Sequence, residues 1–419
     1  MGTPFRDRPQ TVLVVIVLLG IILRGAYILL FVDLGRDSYW EYGEIAKNLL
    51  AGKGYSLYHS DGLRNSIVFD PGASPDPSAW MAPGYVAFLA PFLLISPVVL
   101  RNSLLLIIQI ALGAVLVFAI YRFTFDHVSQ KAAPYAAAIA ALLPEFIYAT
   151  ASFTPTLLYQ IGVVVLLGQL YPTQSMSVRT ASLLGLLFAT MIYLRSEFLL
   201  FAFLATLVLA FRRQVRSAIV LGAVVVVLLL PWQFRNLSVF GEWVPLTTSA
   251  GLNLFRGHNV EGLGAWSDDH IEQLVPGIKH GRRFEIELNA LYEARALEFI
   301  RTHPLEEARY AVQKAARFWL FDPSDERTLH LIYILPWGSM LLLSLAGLLR
   351  SRCWKNHRVP LLFFGYSTMI VVLFFVLPRY QSMMKIALVP FAAVGLEWLA
   401  SLAVVWINRR KNPEFRSNP

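Results

Sequence analysis

Long apolar runs dominate the chain, and short polar segments separate them. A bilayer core about 30 Å thick is crossed by roughly 20 helical residues, a length that several of these runs reach. The pattern therefore predicts an all-α polytopic membrane protein with about ten or eleven transmembrane helices. The runs lie near residues 11–32, 82–98, 102–121, 132–149, 154–170, 180–194, 197–211, 217–233, 329–349, 360–378 and 384–406.

Two polar stretches, residues 33–80 and 234–328, interrupt the apolar runs. They divide the chain into three parts. The first is an N-terminal transmembrane module, residues 1–233, which includes the first polar stretch. The second is the loop region 234–328, and the third is a set of C-terminal transmembrane helices, residues 329–419.

Amphipathic helices are predicted inside both polar stretches. In residues 39–51, apolar side chains recur at i, i+3, i+4 and i+7, and Gly52 is placed to end that helix. Such a helix would lie along the membrane surface. Residues 283–301 and 304–320 also have a helical pattern, with Pro304 in a first turn, where proline is favoured.

Positive charges near the ends of the runs predict the orientation. The basic N-terminal segment 1–10 is placed in the cytoplasm, which puts residues 33–80 on the outer face, and the basic segments 212–216, 350–358 and 408–412 are also placed inside, which puts residues 234–328 on the outer face. We therefore expect a multi-pass protein of the inner (plasma) membrane whose functional face is toward the periplasm or exterior. An even number of crossings must separate the two stretches, yet seven runs lie between them. Either one run is re-entrant or two form one broken crossing, and residues 191–201 are our candidate.

Composition agrees with this assignment and excludes other classes. Hydrophobic residues make up 56% of the chain and charged residues 15%, whereas soluble domains carry about 25% charged residues. The net charge of +9 fits cytoplasmic loops and anionic headgroups, so no nucleic acid partner is expected. Cys353 is the only cysteine, which excludes an intrachain disulfide. No His, Asp and Glu spacing indicates a metal site, and no cofactor is predicted.

Three of the acidic residues after the first apolar run share a regular spacing. Asp37, Glu41 and Glu44 stand at i, i+4 and i+7, a spacing that puts them on one helix face. Ser38 and Glu41 have the spacing of a capping box, in which both side chains bond free N–H groups of the first turn. Glu44 is expected to face water beside Lys47. Asp37 has two interpretations, as a helix N-cap or as a general base at the membrane boundary.

Arginines near the predicted outer face are candidates to bind a phosphate group, because arginine pairs with phosphate oxygens through two parallel N–H bonds. The candidates are Arg24, Arg195 and Arg379, with Tyr380 beside the last of them. Arg24 lies inside the first apolar run, where a charge is costly. It has two interpretations, as a phosphate ligand or as a side chain that reaches the outer surface or pairs with Asp33.

Residues 247–266 are rich in glycine and asparagine. They form either a turn-rich loop or part of a binding site, for which Asn253, His258 and Asn259 are the candidate residues. The glycine spacing does not match a P-loop or a dinucleotide fingerprint, because a GKS/T motif and a preceding soluble strand are both missing.

Seven segments, spread over nearly the whole chain, occur in an order and spacing that are specific together although each is loose alone. They read LRGAYILL, RDSYWEYGEIAKNLLAGKGYS, MAPGYVAFLAPFLL, YLRSEFLL, RNLSVFGEWVPLTTSAGLNLFRGHN, HPLEEARYAVQKAARFW and PRYQSMMKIALVPFAAVGL. The layout resembles the C-type glycosyltransferases (GT-C). Within them it is most similar to the bacterial members of the protein mannosyltransferase and aminoarabinose transferase superfamily.

The resemblance implies an inverting transfer of a monosaccharide from a polyprenyl-phosphate carrier to a lipid, glycan or protein acceptor at the outer membrane face. Asp37 would be the base, with Tyr42 and Glu41 as substrate-binding residues. Arg379 and Tyr380 match an Arg-Tyr pair before the last helix. The loop at 247–259 would cover the sugar or the acceptor.

The chain also departs from its relatives. WMAPGY replaces a Lys-Pro-Pro-Leu motif, which argues against aminoarabinose transfer to lipid A. YATASFTPTLLYQ stands where many relatives carry an acid, and whether Glu145 substitutes stays open. The lack of a large soluble outer domain argues against an oligosaccharyltransferase. Two other classes stay open, a transporter or flippase for a lipid-linked sugar and a polysaccharide polymerase or ligase.

Overall fold

The structure is a computed structural model that describes residues 9–59, 74–171, 176–260, 278–323, 326–351 and 357–411. The side chains at positions 9, 326–327, 378–379 and 409–411 are not described.

The described chain is almost entirely helical. Two short strands, β1 (Ser56–Leu57) and β2 (Asp76–Pro77), pair antiparallel with Ser56 opposite Pro77. A 3₁₀ turn covers Glu326–Leu329. The α-helices are α1 (Pro9–Phe31), α2 (Trp40–Leu50), α3 (Pro83–Leu93), α4 (Val98–His127), α5 (Ala133–Leu142), α6 (Pro144–Ala151), α7 (Thr156–Leu170), α8 (Val178–Leu194), α9 (Phe198–Phe211), α10 (Val215–Phe240), α11 (Ala250–Gly257), α12 (Phe284–Thr302), α13 (Pro304–Trp319), α14 (Leu331–Arg350), α15 (Arg358–Leu373) and α16 (Pro378–Lys411).

Among the described helices, 5 are long and apolar enough to cross a membrane, namely α1, α4, α10, α14 and α16. The pair α5–α6 is a sixth candidate, with a bend of 55° between its two parts. The shorter apolar helices α3, α7, α8, α9 and α15 complete the bundle. Each apolar run of the sequence therefore forms a helix, and the prediction of an all-α polytopic membrane protein is confirmed.

The short helix α3 begins and ends at the same end of the bundle. At its start, a Cβ on Gly84 would lie 2.6 Å from the carbonyl oxygen of Tyr193, in the last turn of α8. After its end, Asn102 of α4 donates to the carbonyl oxygens of Leu34 (2.7 Å) and Arg36 (3.0 Å), just beyond α1. Its 11 residues span about 16 Å, half of a bilayer core. Without α3, six of the seven apolar runs remain between the two polar stretches, an even number as the predicted orientation requires.

Residues 191–201 do not form the broken crossing that we predicted there. The helices on either side of this segment lie next to each other, since the ring of Phe188 in α8 lies 5.9 Å from those of Phe198 and Phe201 in α9. The segment is therefore a tight turn between two separate helices. Hydrophobicity marks both runs equally and does not distinguish a hairpin from a break.

The broken crossing lies instead between α5 and α6. Pro144 has no N–H, so the carbonyl oxygen of Ala140 loses the partner that a continuous helix would supply. The guanidinium of Arg24 replaces it, donating to the carbonyl oxygens of Ala140 and Ala141, each at 3.2 Å. The same side chain donates to the hydroxyl of Thr150 in α6 at 3.1 Å. Arg24 thus joins both halves of the bent span to α1.

Helices of the polar stretches form where the sequence predicts them. Gly52 follows α2 with φ 74°, a left-handed conformation that ends a helix without steric cost. Pro304 is the first residue of α13. The two polar stretches are also joined, because the buried carboxylate of Glu285 in α12 accepts from the amide of Ala79 (2.8 Å) and from the hydroxyl of Thr248. These elements form one layer over the end of the bundle that carries α3.

Candidate functional site

Asp37 lies just before α2, at the end of the bundle where the two polar stretches meet. Its Oδ1 accepts from Nη1 of Arg101 at 2.8 Å, and its Oδ2 lies 3.2 Å from Nζ of Lys47. The Asp37 side chain remains 41% exposed. The result is a half-open carboxylate whose orientation is fixed by two cations. We call Asp37, Tyr39, Lys47, Arg101 and Asn102 the Asp37 cluster.

The capping box predicted for Ser38 and Glu41 is wrong. Helix α2 starts at Trp40 with Tyr39 as the N-cap residue, and no side chain caps it. Tertiary contacts set this start: the Tyr39 hydroxyl donates to Asn102, and its ring covers Gly43, where a Cβ would lie 2.6 Å from the Tyr39 Cβ. Asp37 is therefore not the N-cap either, which removes the structural interpretation of that residue.

Backbone strain accompanies this start. Trp40 adopts φ 56°, a left-handed conformation that is unfavourable for a bulky residue, and its side chain is 66% exposed. Such strain often occurs at functional sites because the surrounding contacts hold it in place. Trp40 follows Asp37 by three positions along the chain.

Glu44 does not face water as we predicted. It is half-buried, and its Oε1 is buried without a hydrogen-bond partner. Burial raises the pKa of Glu44, while the nearby charges of Lys47 and Lys53 act in the opposite direction. Glu41, by comparison, lies in the first turn of the helix and is also half-buried.

A second group of polar side chains surrounds Arg195, in the turn between α8 and α9. Its guanidinium bonds the carboxylate of Glu197 and lies 4.9 Å from the ring centroid of Tyr380 and 5.7 Å from that of Tyr159. Tyr42 of α2 is within electrostatic range of the same guanidinium. We call these five residues the Arg195 cluster.

The fold brings the Arg195 cluster together from distant parts of the sequence. Tyr42 packs edge-on against the buried Tyr85 of α3 at 5.1 Å, so the non-crossing helix supports it. Tyr366 of α15 donates to the backbone carbonyl oxygen of Glu197 at 3.1 Å. Because α2 carries both Tyr39 and Tyr42, it joins the Asp37 cluster to the Arg195 cluster. The side chain of Arg379 lies outside the described residues.

The geometry does not support Arg24 as a phosphate ligand. It is 1% exposed, and its Nε, Nη1 and Nη2 all donate to groups within α1, α5 and α6. It neither reaches the surface nor pairs with Asp33, which accepts from the amide of Gly35 at 2.9 Å. The cost of burying this charge is offset by the carbonyl groups that the α5–α6 break exposes.

The three candidates at 247–266 act mainly in packing. Asn259 donates to the carbonyl oxygen of Phe255 at 2.7 Å and ends α11. Asn253 accepts from Arg256 of the same helix at 3.3 Å. His258 is treated separately below. Within the described residues, these side chains hold α11 in place and are not part of either cluster.

His258 belongs to a buried group that joins α11, α13 and α15. Its Nδ1 lies 2.7 Å from Glu307, and Lys314 lies 3.2 Å from its Nε2 while donating to the carbonyl oxygen of Val372 at 3.1 Å. Burial lowers the pKa of Lys314 to about 8. Burial and the neighbouring Lys314 also lower the pKa of His258. The group bonds carbonyl groups at the end of α15, and Oε1 of Glu307 is buried without a hydrogen-bond partner.

Among the described residues, no three His, Cys, Asp or Glu side chains are grouped to hold a metal ion. Sequence reasoning missed Arg101, Lys47 and Tyr159 as members of the clusters. Arg101 gave a signal, since it is a lone charge at the start of an apolar run. Tyr159 gave none, because a tyrosine in a membrane helix is ordinary.

Comparisons with known proteins identify the fold. No family model and no curated protein matches the sequence. Among solved structures, the apo oligosaccharyltransferase of Archaeoglobus fulgidus aligns with 98% of this chain and 52% of its own, at 15% identity and a TM-score of 0.57. AglB from the same organism, in complex with an inhibitory peptide and a dolichol-phosphate, aligns over the same shares at 14% identity and 0.58.

A third structure of the Archaeoglobus fulgidus enzyme, tethered to an acceptor peptide with the NVT sequon, aligns with 99% of this chain at 13% identity and a TM-score of 0.58. The chain spans about half the length of these structures, 52% of each. The alignment nevertheless includes nearly all of this chain. The protein therefore has the GT-C fold of membrane glycosyltransferases, as its motifs predicted.

Proposed function

We propose that this protein is an inverting glycosyltransferase that moves a monosaccharide from a polyprenyl-phosphate carrier to a hydroxyl group of a lipid, glycan or protein acceptor. The observation that carries the proposal is the half-open Asp37 carboxylate, oriented by Arg101 and Lys47 at the loop-covered end of a GT-C bundle. The reaction would take place at the outer face of the inner membrane. The sugar is hexosyl or pentosyl.

The mechanism is a single displacement at the anomeric carbon. Asp37 accepts the proton of the acceptor hydroxyl, whose oxygen forms the new bond to the anomeric carbon. The bond from that carbon to the phosphate oxygen breaks, and polyprenyl phosphate leaves as an anion that needs no proton. Arg195 stabilises the negative charge of the leaving phosphate, assisted by the Tyr380 hydroxyl. Arg379 precedes Tyr380 and stays part of the proposal.

The archaeal neighbours support the substrate class in general terms. One was solved with a dolichol-phosphate, the carrier type that the proposal requires, and another with an acceptor peptide. The chain spans 52% of the length of these structures, so their acceptors are not assigned to it. We therefore propose a lipid-linked donor for this chain and leave peptide acceptors to the experiment.

The test is release of polyprenyl phosphate from a short-chain polyprenyl-phosphate sugar by purified protein with membrane extract as the acceptor source. We expect release with the unchanged protein and at most about 1% of that rate with Asp37→Asn. Glu293→Gln, in α12 and outside both clusters, is the matched control and should keep full activity. Undiminished transfer by Asp37→Asn would remove Asp37 as the base.

A transporter is the competing function, and the α5–α6 break favours it specifically, because transporters often bind substrates at discontinuous helices. Arg24 fills that break with protein contacts, which argues against a binding site there. Movement of a fluorescent lipid-linked sugar across vesicles, without release of polyprenyl phosphate from any donor, would establish the transporter and reject the transferase.

A further inference from the structure

A buried ion pair lies within the bundle, apart from both clusters. Lys385 of α16 is 1% exposed and bonds the carboxylate of Glu145, in the first turn of α6. Its ammonium also lies 4.7 Å from the ring centroid of Tyr333 and 4.4 Å from that of Trp337, both in α14. These contacts join three helices around one charge.

Stability does not explain such a pair. Removing two charges from water costs several kcal/mol per ion, and apolar side chains of similar volume often pack as well or better. Inside a membrane protein, an ionisable residue usually has a functional role with a nearby partner.

The two partners are not equivalent. The ammonium of Lys385 is fully engaged by one carboxylate oxygen and two ring faces. The Glu145 side chain keeps 23% exposure, and its Oε2 is buried without a hydrogen-bond partner. A buried carboxylate oxygen without a donor costs more than 1 kcal/mol, and a ligand hydroxyl would remove that cost. Glu145 is therefore the partner of the pair that has an oxygen atom available to accept a hydrogen bond from a ligand.

Its position connects it to the Arg195 cluster. Lys385 follows Tyr380 by five residues of the same helix, which is about 7.5 Å along the axis. Helix α7 also packs against α16, and it carries Gln160 next to Tyr159 of the Arg195 cluster. Both polar atoms of the Gln160 amide are buried without a partner, and the residue is 0% exposed. Buried polar atoms without partners thus occur on α7, beside Tyr159, as well as on Glu145.

We propose that Glu145 binds a hydroxyl group of the donor sugar and that Lys385 orients this carboxylate. This inference rests on the proposed transferase function and adds the residue that selects the sugar. The unpartnered Oε2 of Glu145 is the acceptor that would receive the sugar hydroxyl. Glu145 is a specificity residue in this arrangement, and Lys385 is a positioning residue.

The experiment compares a polyprenyl-phosphate sugar with its set of monodeoxy analogues, using polyprenyl phosphate release as the readout. The unchanged protein should turn over one deoxy analogue at least about 10-fold less efficiently than the full sugar. The double variant Glu145→Leu/Lys385→Met, which leaves no unpaired charge, should lose that preference while keeping its unfolding temperature. Ser344→Ala, which removes only an α14–α16 hydrogen bond, should keep the preference.

Each result has one meaning. An unchanged preference in a folded double variant overturns the inference, since the pair is then only structural. Equal turnover of all analogues by the unchanged protein also overturns it, whereas absence of any transfer by the unchanged protein refutes the proposed function instead. If the double variant does not fold, Glu145→Asp retains the charge but withdraws the carboxylate by one methylene. It should reduce the preference at least about 5-fold, and an unchanged preference again overturns the inference.

Discussion

The Asp37 cluster and the Arg195 cluster are neighbours that differ in exposure and in the number of cations per carboxylate. In the first, two cations hold one carboxylate, and Asp37 and Lys47 stay 41% and 39% exposed. In the second, one guanidinium pairs with one carboxylate and lies against tyrosine rings. An open carboxylate is suited to take a proton from an incoming acceptor. An enclosed guanidinium is suited to stabilise charge that develops during the reaction, because low dielectric strengthens its field.

The largest expected effect comes from the open cluster. Asp37→Asn should lower kcat by about 100-fold or more and change the donor KM little, because the variant binds substrate but does not accept the proton. Steady-state kinetics with varied donor concentration measure both values. A rise in KM with unchanged kcat would assign Asp37 to binding and reverse the comparison between the clusters.

Arg195→Lys should have the next largest effect. Lysine keeps the charge but loses the planar fork that bonds Glu197 and stacks on Tyr380, so kcat/KM for the donor should fall about 10-fold. Arg216→Lys, in the exposed start of α10, is the control and should behave like the unchanged protein. A full loss equal to that of Asp37→Asn would mean that the enclosed cluster carries the chemistry.

Salt should separate the clusters by a smaller factor. Lys47 is exposed, and its ion pair is screened over a Debye length of about 8 Å at physiological ionic strength. Lys47→Gln should therefore change kcat/KM about 2- to 3-fold at low salt and not at all in about 1 M salt. Tyr159→Phe, within the enclosed cluster, should show the same activity ratio at both salt concentrations. Equal salt sensitivity of the two variants would contradict the difference in exposure.

Glu44→Gln should have the smallest effect, on stability rather than activity. Because burial raises the folded-state pKa of Glu44, the folded protein binds more protons than the unfolded chain between the two pKa values. Its contribution to stability is therefore fully present below the unfolded pKa and is lost as pH rises through the folded pKa. The glutamine variant should unfold at a slightly higher temperature than the parent at pH 7 and at the same temperature at pH 4. A difference at pH 4 alone would contradict this sign.

Local patterns predicted the helices, whereas long-range contacts decided their roles. The structural effects of the apolar runs, of Gly52 and of Pro304 depend on neighbouring residues only. The structure shows the expected helices, with Gly52 after the end of α2 and Pro304 at the start of α13. The start of α2 depends on Asn102, which is 63 positions from Tyr39, and no capping motif contains that information. The role of Arg24 likewise depends on carbonyl groups more than 100 positions away.

For the candidate site, too, local patterns identified some residues, whereas the roles of others depended on long-range contacts. Asp37 and Arg195 could be singled out as charged residues beside apolar runs, and Tyr380 through the resemblance of its Arg-Tyr pair to that of GT-C relatives. His258 and Asn259 were chosen for their polarity, which cannot distinguish a ligand contact from a buried packing contact such as that of His258 with Glu307. The number of runs gave the size of the bundle, but the depth of α3 could not be read, because hydrophobicity does not report where a helix ends.

Because α3 begins and ends at the same end of the bundle, it also affects how the protein fills the bilayer. The end that holds both clusters contains α2, α3 and the layer tied by Glu285, in addition to the crossing helices. The opposite end contains only the crossing helices and their short connections among the described residues. Because α3 adds to that end of the bundle without reaching the other, we expect the membrane-embedded part of the protein to occupy more area in the leaflet at that end.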